Sequence, residues 1–437
     1  MSSPHELRRR LAHGLRLGAA GVAAAAEARP GVAGARALVP GKVLGETALL
    51  CRVAGRLLAD QPHLAGHDGL GAAQARLADA VTRALDSGHA ALTVAAEPRR
   101  LVPELFPFAL LGDLDTGHRH VARHLIELGT TDPRDALGDE PDPFDRLELS
   151  WLRGLAEGCS APDVPAGSVL ERGADLLHGE LTDAYGLTHA VLHATDCGLL
   201  RPRSNRPAGS VADDAESLLG AALASSNLDV AAELLWTWPM LELPLSAGAQ
   251  YALAEIDRAE AVHGFLPGPE HDPSVATSLA PADRSTYVIQ TSYHTAVVGG
   301  VLAAALLRSD DRPAGSPTAP RPDRGRAAAP MPDADPLVVL GLADGPWADA
   351  LRHRPPAARV ACTELVLGAE LRTAAARRDP ARVHDVVGWA AAQGWSHLGS
   401  VRQAAALLSR VARAAPAAQR SSRWPSSMRP SRVTARS

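Results

Sequence analysis

The residues best suited to chemistry lie in one short segment, which runs from Asp183 to Gly198. On a helix, His189, His193 and Asp196 fall at positions i, i+4 and i+7 and share one face. Two imidazoles one turn apart can chelate a metal ion, and a carboxylate one turn further on can complete the ligand set. Alternatively, Asp196 fixes the tautomer of His193, which then acts as a general base.

A second polar segment, residues 285–295, opens a long helix that is apolar from Ala296 to Leu307. It carries Tyr293 and His294. A polar cluster at one end of a buried helix is well placed to line the mouth of a cavity, where ligands commonly bind. A purely structural explanation is equally open, in which the polar groups of both segments bond one another and nearby loops in the core.

We therefore predict one site formed by His189, His193, Asp196, Tyr293 and His294. His193 would be the base, Asp196 its orienting partner, and His294 a second acid–base group or a ligand. Buried imidazoles without partners are costly, so two histidine-bearing helices are explained more simply by one shared cavity than by two isolated sites.

Sequence motifs of the common enzyme classes are absent, and the sequence therefore assigns no cofactor and leaves a metal open. It contains no HExxH, no GxSxG, no P-loop and no dinucleotide-binding glycine fingerprint. Asp213 and Asp214 do not begin a DDxxD motif, because the fifth position is Ser217. Lys42 is the only lysine.

The elements that must position these residues are helices. Leu50, Val53 and Leu57 recur at spacings of three and four, and similar apolar faces follow along most of the chain. No stretch alternates apolar and polar residues in the manner of a strand, so the predicted fold class is all-α. Asp142 and Asp379 stand where N-caps are expected, Ser225–Ser226–Asn227 forms another capping cluster, and Gly299–Gly300 would permit close helix packing.

Helix pairs recur roughly every 40 to 50 residues without a shared signature, a spacing typical of stacked helical repeats. We predict an α/α toroid or an irregular α-solenoid of antiparallel helix pairs. Its main helical body would span residues 1–308, and C-terminal helices at 337–413 would pack on that body. The segments 309–336 and 414–437 are poor in large apolar residues and are predicted to be a disordered linker and a disordered basic tail.

Composition excludes several classes of protein. With 44 Lys+Arg and 49 Asp+Glu, the net charge of −5 argues against nucleic acid as a partner. The longest apolar run, Ala296 to Leu307, is too short for a membrane span, which needs about 20 residues. Four separated cysteines with no CxxC argue against a disulfide scaffold and fit a cytoplasmic protein.

Parts of the two polar segments resemble a family of all-helical actinobacterial proteins that has no assigned activity. The resemblance covers about a quarter of the chain and rests on Tyr185, Thr188–His189, Thr195–Asp196, Gly198 and Tyr293–His294–Thr295. It implies an all-helical fold with a shared His/Asp constellation, but no reaction. The helix-pair pattern is also similar to α/α-toroid enzymes such as lanthionine and terpene cyclases, an analogy of fold that does not transfer function.

The function predicted from the sequence is that of an accessory enzyme with a His/Asp pocket, acting on a small molecule or a modified peptide in specialised metabolism. The alternative is a non-catalytic helical scaffold that binds a peptide or protein in a groove. Convergence of the two histidine segments on one concave pocket favours the enzyme, whereas separation of these segments favours the scaffold.

Overall fold

The structure, a computed structural model, describes residues 2–130, 142–158, 162–179, 181–310, 335–340 and 346–414. In this part of the chain the regular elements are helical, and no β-strand forms, which confirms the all-α class. The toroid or solenoid arrangement stays a prediction. Two 3-10 segments, Pro62–Gly69 and Pro98–Arg100, supplement the α-helices.

The α-helices are α1 (Pro4–Ala26), α2 (Pro40–Asp60), α3 (Leu70–Ala84), α4 (Ser87–Ala96), α5 (Leu101–Leu111), α6 (Thr116–Thr130), α7 (Pro143–Glu157), α8 (Val169–Arg172), α9 (Leu181–Ala194), α10 (Ala208–Ala224), α11 (Leu228–Leu235), α12 (Thr237–Met240), α13 (Ala247–His263), α14 (Pro273–Ser278), α15 (Pro281–Asp310), α16 (Pro336–Leu340), α17 (Pro346–Arg352), α18 (Pro356–Ala361), α19 (Thr363–Ala376), α20 (Pro380–Ala392) and α21 (Gly399–Ala414).

Helix boundaries follow the capping residues. The side chains of Asp142, Asn227 and Asp379 accept hydrogen bonds from the first turns of α7, α11 and α20. This confirms the predicted caps Asp142 and Asp379, and it identifies Asn227 as the capping member of the predicted cluster 225–227. Each bond satisfies a backbone N–H that has no partner within its helix. Gly158 follows α7 in the left-handed conformation, with φ of 74°, which favours glycine as a helix terminator.

The longest helix, α15, lies against α1, α2 and α11, and its apolar half is buried among them. The predicted close packing at Gly299–Gly300 is confirmed, because α1 and α15 approach at Gly14. A Cβ atom at Gly14 would lie 2.6 Å from the carbonyl oxygen of Ala296 and 3.2 Å from the Cα of Gly300. Here the two helix backbones touch with no side chain between them.

The C-terminal helices are attached through α19, which packs on α10, while α20 and α21 pack on α19. Glycine again permits a close approach. A Cβ at Gly220 would lie 2.3 Å from the Leu365 carbonyl oxygen, and one at Gly368 would lie 2.6 Å from the Cα of Ser217. The join between these two parts of the chain is therefore tightly packed on both sides.

The two segments predicted to be disordered fall almost wholly outside the described residues. Of the predicted linker 309–336, Ser309 and Asp310 end α15, and Pro336 begins α16. Of the predicted tail 414–437, the structure describes Ala414, the last residue of α21. Among the described residues, no helix combines the length and the apolar character that crossing a membrane requires.

The α1–α15 contact can be tested with a matched pair of glycine substitutions. Gly14→Ala should lower the free energy of unfolding by about 1–3 kcal/mol or more, since the added methyl group meets backbone that must move. Gly388→Ala is the control, because its Cβ would point into open space on α20. That variant should gain about 0.5–1 kcal/mol from reduced backbone entropy in the unfolded chain. Urea denaturation measures both values, and equal effects would contradict the packing described.

Candidate functional site

A cavity of about 160 Å³ lies where α2, α5, α7, α9, α11 and α15 meet. Its lining combines histidines and glutamates with an apolar wall of aromatic and aliphatic side chains. The polar residues are Glu46, Glu148, His189, His193, Glu233 and His294, and the apolar ones are Leu49, Phe106, Phe144, Leu192, Trp236, Val297, Val298 and Val301. Three of the five residues predicted from the sequence, His189, His193 and His294, thus face one space.

His193 is the most deeply enclosed polar group of the cavity. Its side chain is fully buried, and its ring stacks on the indole of Trp151 with centroids 4.7 Å apart and planes inclined by 22°. Neither ring nitrogen has a hydrogen-bond partner. Burial, helped by the nearby His189, lowers the pKa of His193 well below its usual value. The ring is therefore a neutral imidazole with a free acceptor and a free donor.

Glu148, on α7, is the acidic neighbour of His193. Its Oε1 lies 4.0 Å from Nε2 of His193, beyond hydrogen-bond distance. Burial raises the pKa of Glu148 to about 7. The nearby Asp145 adds to this rise, and His189 opposes it. A carboxyl group with this pKa exchanges a proton readily near neutral pH, which is what general acid–base catalysis requires.

His294 lies on the opposite side of the cavity between carboxylates of two helices. Its Nδ1 is 3.0 Å from Oε1 of Glu46 on α2, and its Nε2 is 3.3 Å from Oδ2 of Asp229 on α11. Burial opposes a charge on this ring, but the two carboxylates outweigh it and raise the pKa of His294 well above its usual value. The ring is thus held between carboxylates of α2 and α11.

The second carboxylate of α11, Glu233, lies one turn after Asp229 and is almost fully buried. Its Oε2 accepts a hydrogen bond of 2.9 Å from the Thr188 hydroxyl, and Oδ2 of Asp229 accepts one of 3.4 Å from the Tyr185 hydroxyl. Burial raises the pKa of Glu233. Burial acts on Asp229 in the same way, but the nearby His294 outweighs it, so the pKa of Asp229 is lowered. One donor atom each of Asp229, Glu233 and His294 lie within 4.8 Å of one another, so these three residues could hold a metal ion.

The role predicted for Asp196 is wrong. The helix α9 ends at Ala194, and Asp196 follows with a positive φ of 49°, so its side chain leaves the face that carries the histidines. Its carboxylate accepts hydrogen bonds of 2.8 Å from Nε1 of Trp151 and from the guanidinium of Arg52. Asp196 therefore fixes the indole on which His193 stacks, and it does not orient the imidazole itself.

Of the two remaining predicted residues, His189 lines the cavity and Tyr293 does not. Nδ1 of His189 donates a hydrogen bond of 2.9 Å to the Tyr185 carbonyl oxygen, and the same atom is 4.0 Å from Oε2 of Glu233. Tyr293 is buried next to Glu46, where burial and the nearby carboxylates raise its pKa. Tyr293 therefore lies beside Glu46 and is not one of the residues that line the cavity.

The sequence analysis missed the carboxylates Glu46, Glu148, Asp229 and Glu233. Acidic residues in amphipathic helices usually face solvent, and Asp229 is also well placed to favour the positive end of its helix. One signal was available on α11. There, Asp229 and Glu233 stand one turn apart among valine, alanine and leucine, a pattern that predicts two acids on a buried helix.

A larger depression of about 550 Å³ lies among α19, α20 and α21. It is lined mainly by leucine, alanine and valine, and two of its charged groups serve the fold: Asp379 caps α20, and Arg372 binds the Gly179 carbonyl oxygen. Its other polar lining residues are His178 and Arg378, whereas the smaller cavity gathers three histidines and three glutamates and is therefore the candidate site.

Comparison with known proteins gives one family. The family model described as "Domain of unknown function (DUF6895)" matches residues 21–304. No curated protein and no solved structure matches the chain. The residues that line the cavity fall between Glu46 and Val301, so the whole lining lies inside the matched range.

The ion pairs below the cavity can be tested at Arg52, which is almost fully buried and bonds both Asp196 and Asp113. Arg52→Ala leaves Asp196 in the interior without its cationic partner and should lower the free energy of unfolding by about 3–5 kcal/mol. Arg56→Ala is the control, because Arg56 also contacts Asp113 but is half exposed; its loss should be below about 1 kcal/mol. Similar losses in chemical denaturation would contradict the central role of Arg52.

The raised pKa of Glu148 makes a prediction about stability and pH. A pKa of about 7 in the folded state, above the usual value of 4.5 for a glutamate, means that the folded protein holds this proton more tightly than the unfolded chain does. The stability that the protonated Glu148 adds to the folded protein is fully present below about pH 4.5. It is lost as the pH rises through 7, and the free energy of unfolding falls by about 3 kcal/mol by pH 8. Glu148→Gln, which resembles the neutral acid, should escape that loss and be more stable than the wild type at pH 8.

Thermal and urea unfolding at pH 5 and pH 8 measure the effect of Glu148→Gln. The control is Glu97→Gln, because the Glu97 side chain is exposed, and it should not change the pH dependence. A Glu148→Gln variant with the wild-type pH dependence would show that Glu148 ionises normally in the folded protein.

Proposed function

We propose that this chain, which belongs to the DUF6895 family and whose cavity lies within the matched range, is an enzyme that transfers a proton on a small molecule held in this cavity. Glu148 and His193 are the acid–base pair. One observation carries the proposal: a fully buried imidazole with two unpartnered nitrogens stands beside a carboxyl group of pKa about 7 and faces a cavity.

The size of the cavity favours a small substrate. An engineered protein cavity of about 150 Å³ holds one benzene molecule, and the volume here is about 160 Å³. The side chains of Phe106, Phe144 and Trp236 supply an apolar wall for a ring or a short aliphatic body. A modified peptide is too large for this space, so of the two substrate classes predicted from the sequence the small molecule is favoured.

Each member of the pair has a distinct task. Glu148 as the carboxylate takes a proton from the substrate, and Glu148 as the acid returns it at a second position, so that the carboxyl group ends as it began. His193 stays neutral and binds a hydroxyl, amino or carbonyl group of the substrate through a nitrogen that has no protein partner. His193 is fully buried and Glu148 is 16% exposed, so burial reduces the access of water that would compete for the proton.

The convergence of the two histidine segments also supports an enzyme over a scaffold. His189 and His193 on α9 and His294 on α15 reach one concave space. A scaffold that binds peptides through a groove does not need acid–base groups gathered inside a cavity of this size. We therefore place the enzyme ahead of the scaffold.

Proton transfer can be tested without knowing the substrate. The full-length protein is incubated in D₂O with a small-molecule extract of its host, and the metabolites are followed by mass spectrometry. We expect one compound to change or to gain deuterium. Glu148→Gln should slow that change by about 10²–10⁴-fold, while the variant remains folded.

The control for this experiment is His178→Ala, an exposed histidine outside the cavity, which should act like the wild type. Labelling that is equal in Glu148→Gln and the wild type would remove Glu148 from the mechanism. The absence of any change with the wild type would count against an enzyme of this kind.

A further inference from the structure

Two carboxylates and one imidazole stand together at the side of the cavity opposite Glu148. Asp229 and Glu233 are one turn apart on α11, and His294 reaches them from α15. We propose that these three residues bind one divalent transition-metal ion. The inference deepens the proposed function and rests on it for the ion's role in the reaction, but the evidence for the ion itself is separate.

The distances suit a metal site. Nε2 of His294 lies 3.3 Å from Oδ2 of Asp229 and 3.9 Å from Oε1 of Glu233. With metal–ligand bonds of about 2.1 Å, two ligand atoms of a tetrahedral ion are about 3.4 Å apart. The first separation matches this value and the second is about half an ångström longer, and one donor atom from each of the three residues lies within 4.8 Å of the other two.

An independent observation is the unsatisfied oxygen of Asp229. Oδ1 of this residue is buried and has no hydrogen-bond partner, although the side chain is only 4% exposed. Such an oxygen is costly unless a cation binds it. The buried carboxylates of Asp214 and Glu260 pair with the guanidinium groups of Arg206 and Arg10, whereas the pairing of Asp229 with His294 uses Oδ2 and leaves Oδ1 without a hydrogen bond.

The groups around the three residues are those that support metal ligands. A ligating histidine commonly uses its second nitrogen to bind a carboxylate, and Nδ1 of His294 lies 3.0 Å from Oε1 of Glu46. Ligating carboxylates are themselves held by hydrogen bonds, as Glu233 is by Thr188 and Asp229 by Tyr185. These contacts hold the imidazole of His294 and the carboxylates of Asp229 and Glu233 in position.

The chemistry of the three ligands limits which metal ions fit the site. One nitrogen and two carboxylate ligands suit Zn²⁺, Mn²⁺ or Fe²⁺ better than a soft ion that prefers thiolates, or Mg²⁺, which prefers oxygen. Glu233 and His294 also line the cavity, so the ion would border the substrate. There it would act as a Lewis acid on a substrate oxygen while Glu148, across the cavity, handles the proton.

Metal binding is tested on the full-length protein after treatment with EDTA, by calorimetric titration with Zn²⁺ and by the visible spectrum of the Co²⁺ form. We expect one ion per chain and a Co²⁺ spectrum without thiolate charge transfer. Asp229→Asn and Glu233→Gln should each weaken binding by at least about 100-fold, and Glu46→Gln by about 10–100-fold.

The matched control is Glu148→Gln, which removes a cavity carboxylate outside the cluster and should bind Zn²⁺ like the wild type. Circular dichroism checks the fold of each variant; if Asp229→Asn does not fold, Glu233→Gln and His294→Gln decide the question. The proposal is overturned if the wild type binds no ion, or if folded cluster variants bind as tightly as Glu148→Gln.

The two proposals fail separately. Turnover by a protein that binds no ion would reject the metal site and leave proton transfer by Glu148 standing. Stoichiometric ion binding that depends on Asp229 and Glu233, in a protein that changes no compound of the extract, would establish the metal site and reject the enzyme as proposed.

Discussion

Arg52 places a guanidinium group in the interior of a helical protein and binds carboxylates there from two other parts of the chain. Asp113 follows α5, and Asp196 follows α9. Asp196 in turn binds the indole of Trp151 on α7, and that indole stacks on His193. Since α2 carries both Arg52 and Glu46, this one helix holds the Asp196–Trp151 pair on which His193 stacks and also provides the carboxylate beside His294. The positions of the cavity groups depend on this buried charge network.

The sequence predicted the fold class and part of the site because both follow from local periodicity. His189 and His193 are one turn apart, and His294 opens an apolar helix, so a shared cavity could be expected from helix geometry. The role of Asp196 could not be predicted. It depends on a left-handed residue just after α9 and on Arg52, which is 144 residues away in the chain. The burial of Glu148 likewise depends on which helices pack against α7, and the spacing of residues within α7 does not encode that choice.

Keeping such a cavity has a cost in stability. Both ring nitrogens of His193 are buried without hydrogen-bond partners, and the carboxylate of Glu233 is almost fully removed from water. Such groups matter because folded domains are stable by only roughly 5–15 kcal/mol. The close contact of α1 with α15 at Gly14 and the apolar core around it offset these losses. A stable helical frame thus carries a locally unfavourable polar interior, as is common at functional sites.

The join between α10 and α19 has a consequence for how this protein can be divided. The family match ends at residue 304, before the C-terminal helices, yet the glycine-lined faces of α10 and α19 fit each other at backbone distance. A fragment cut at the end of the match would leave the α10 face, with Leu218 and Leu219 near it, without its covering helix. Exposed apolar surface of that kind promotes association between molecules. A protein of this fold without α19 would therefore need a different residue pattern on α10, with a side chain in place of Gly220 and polar groups facing water.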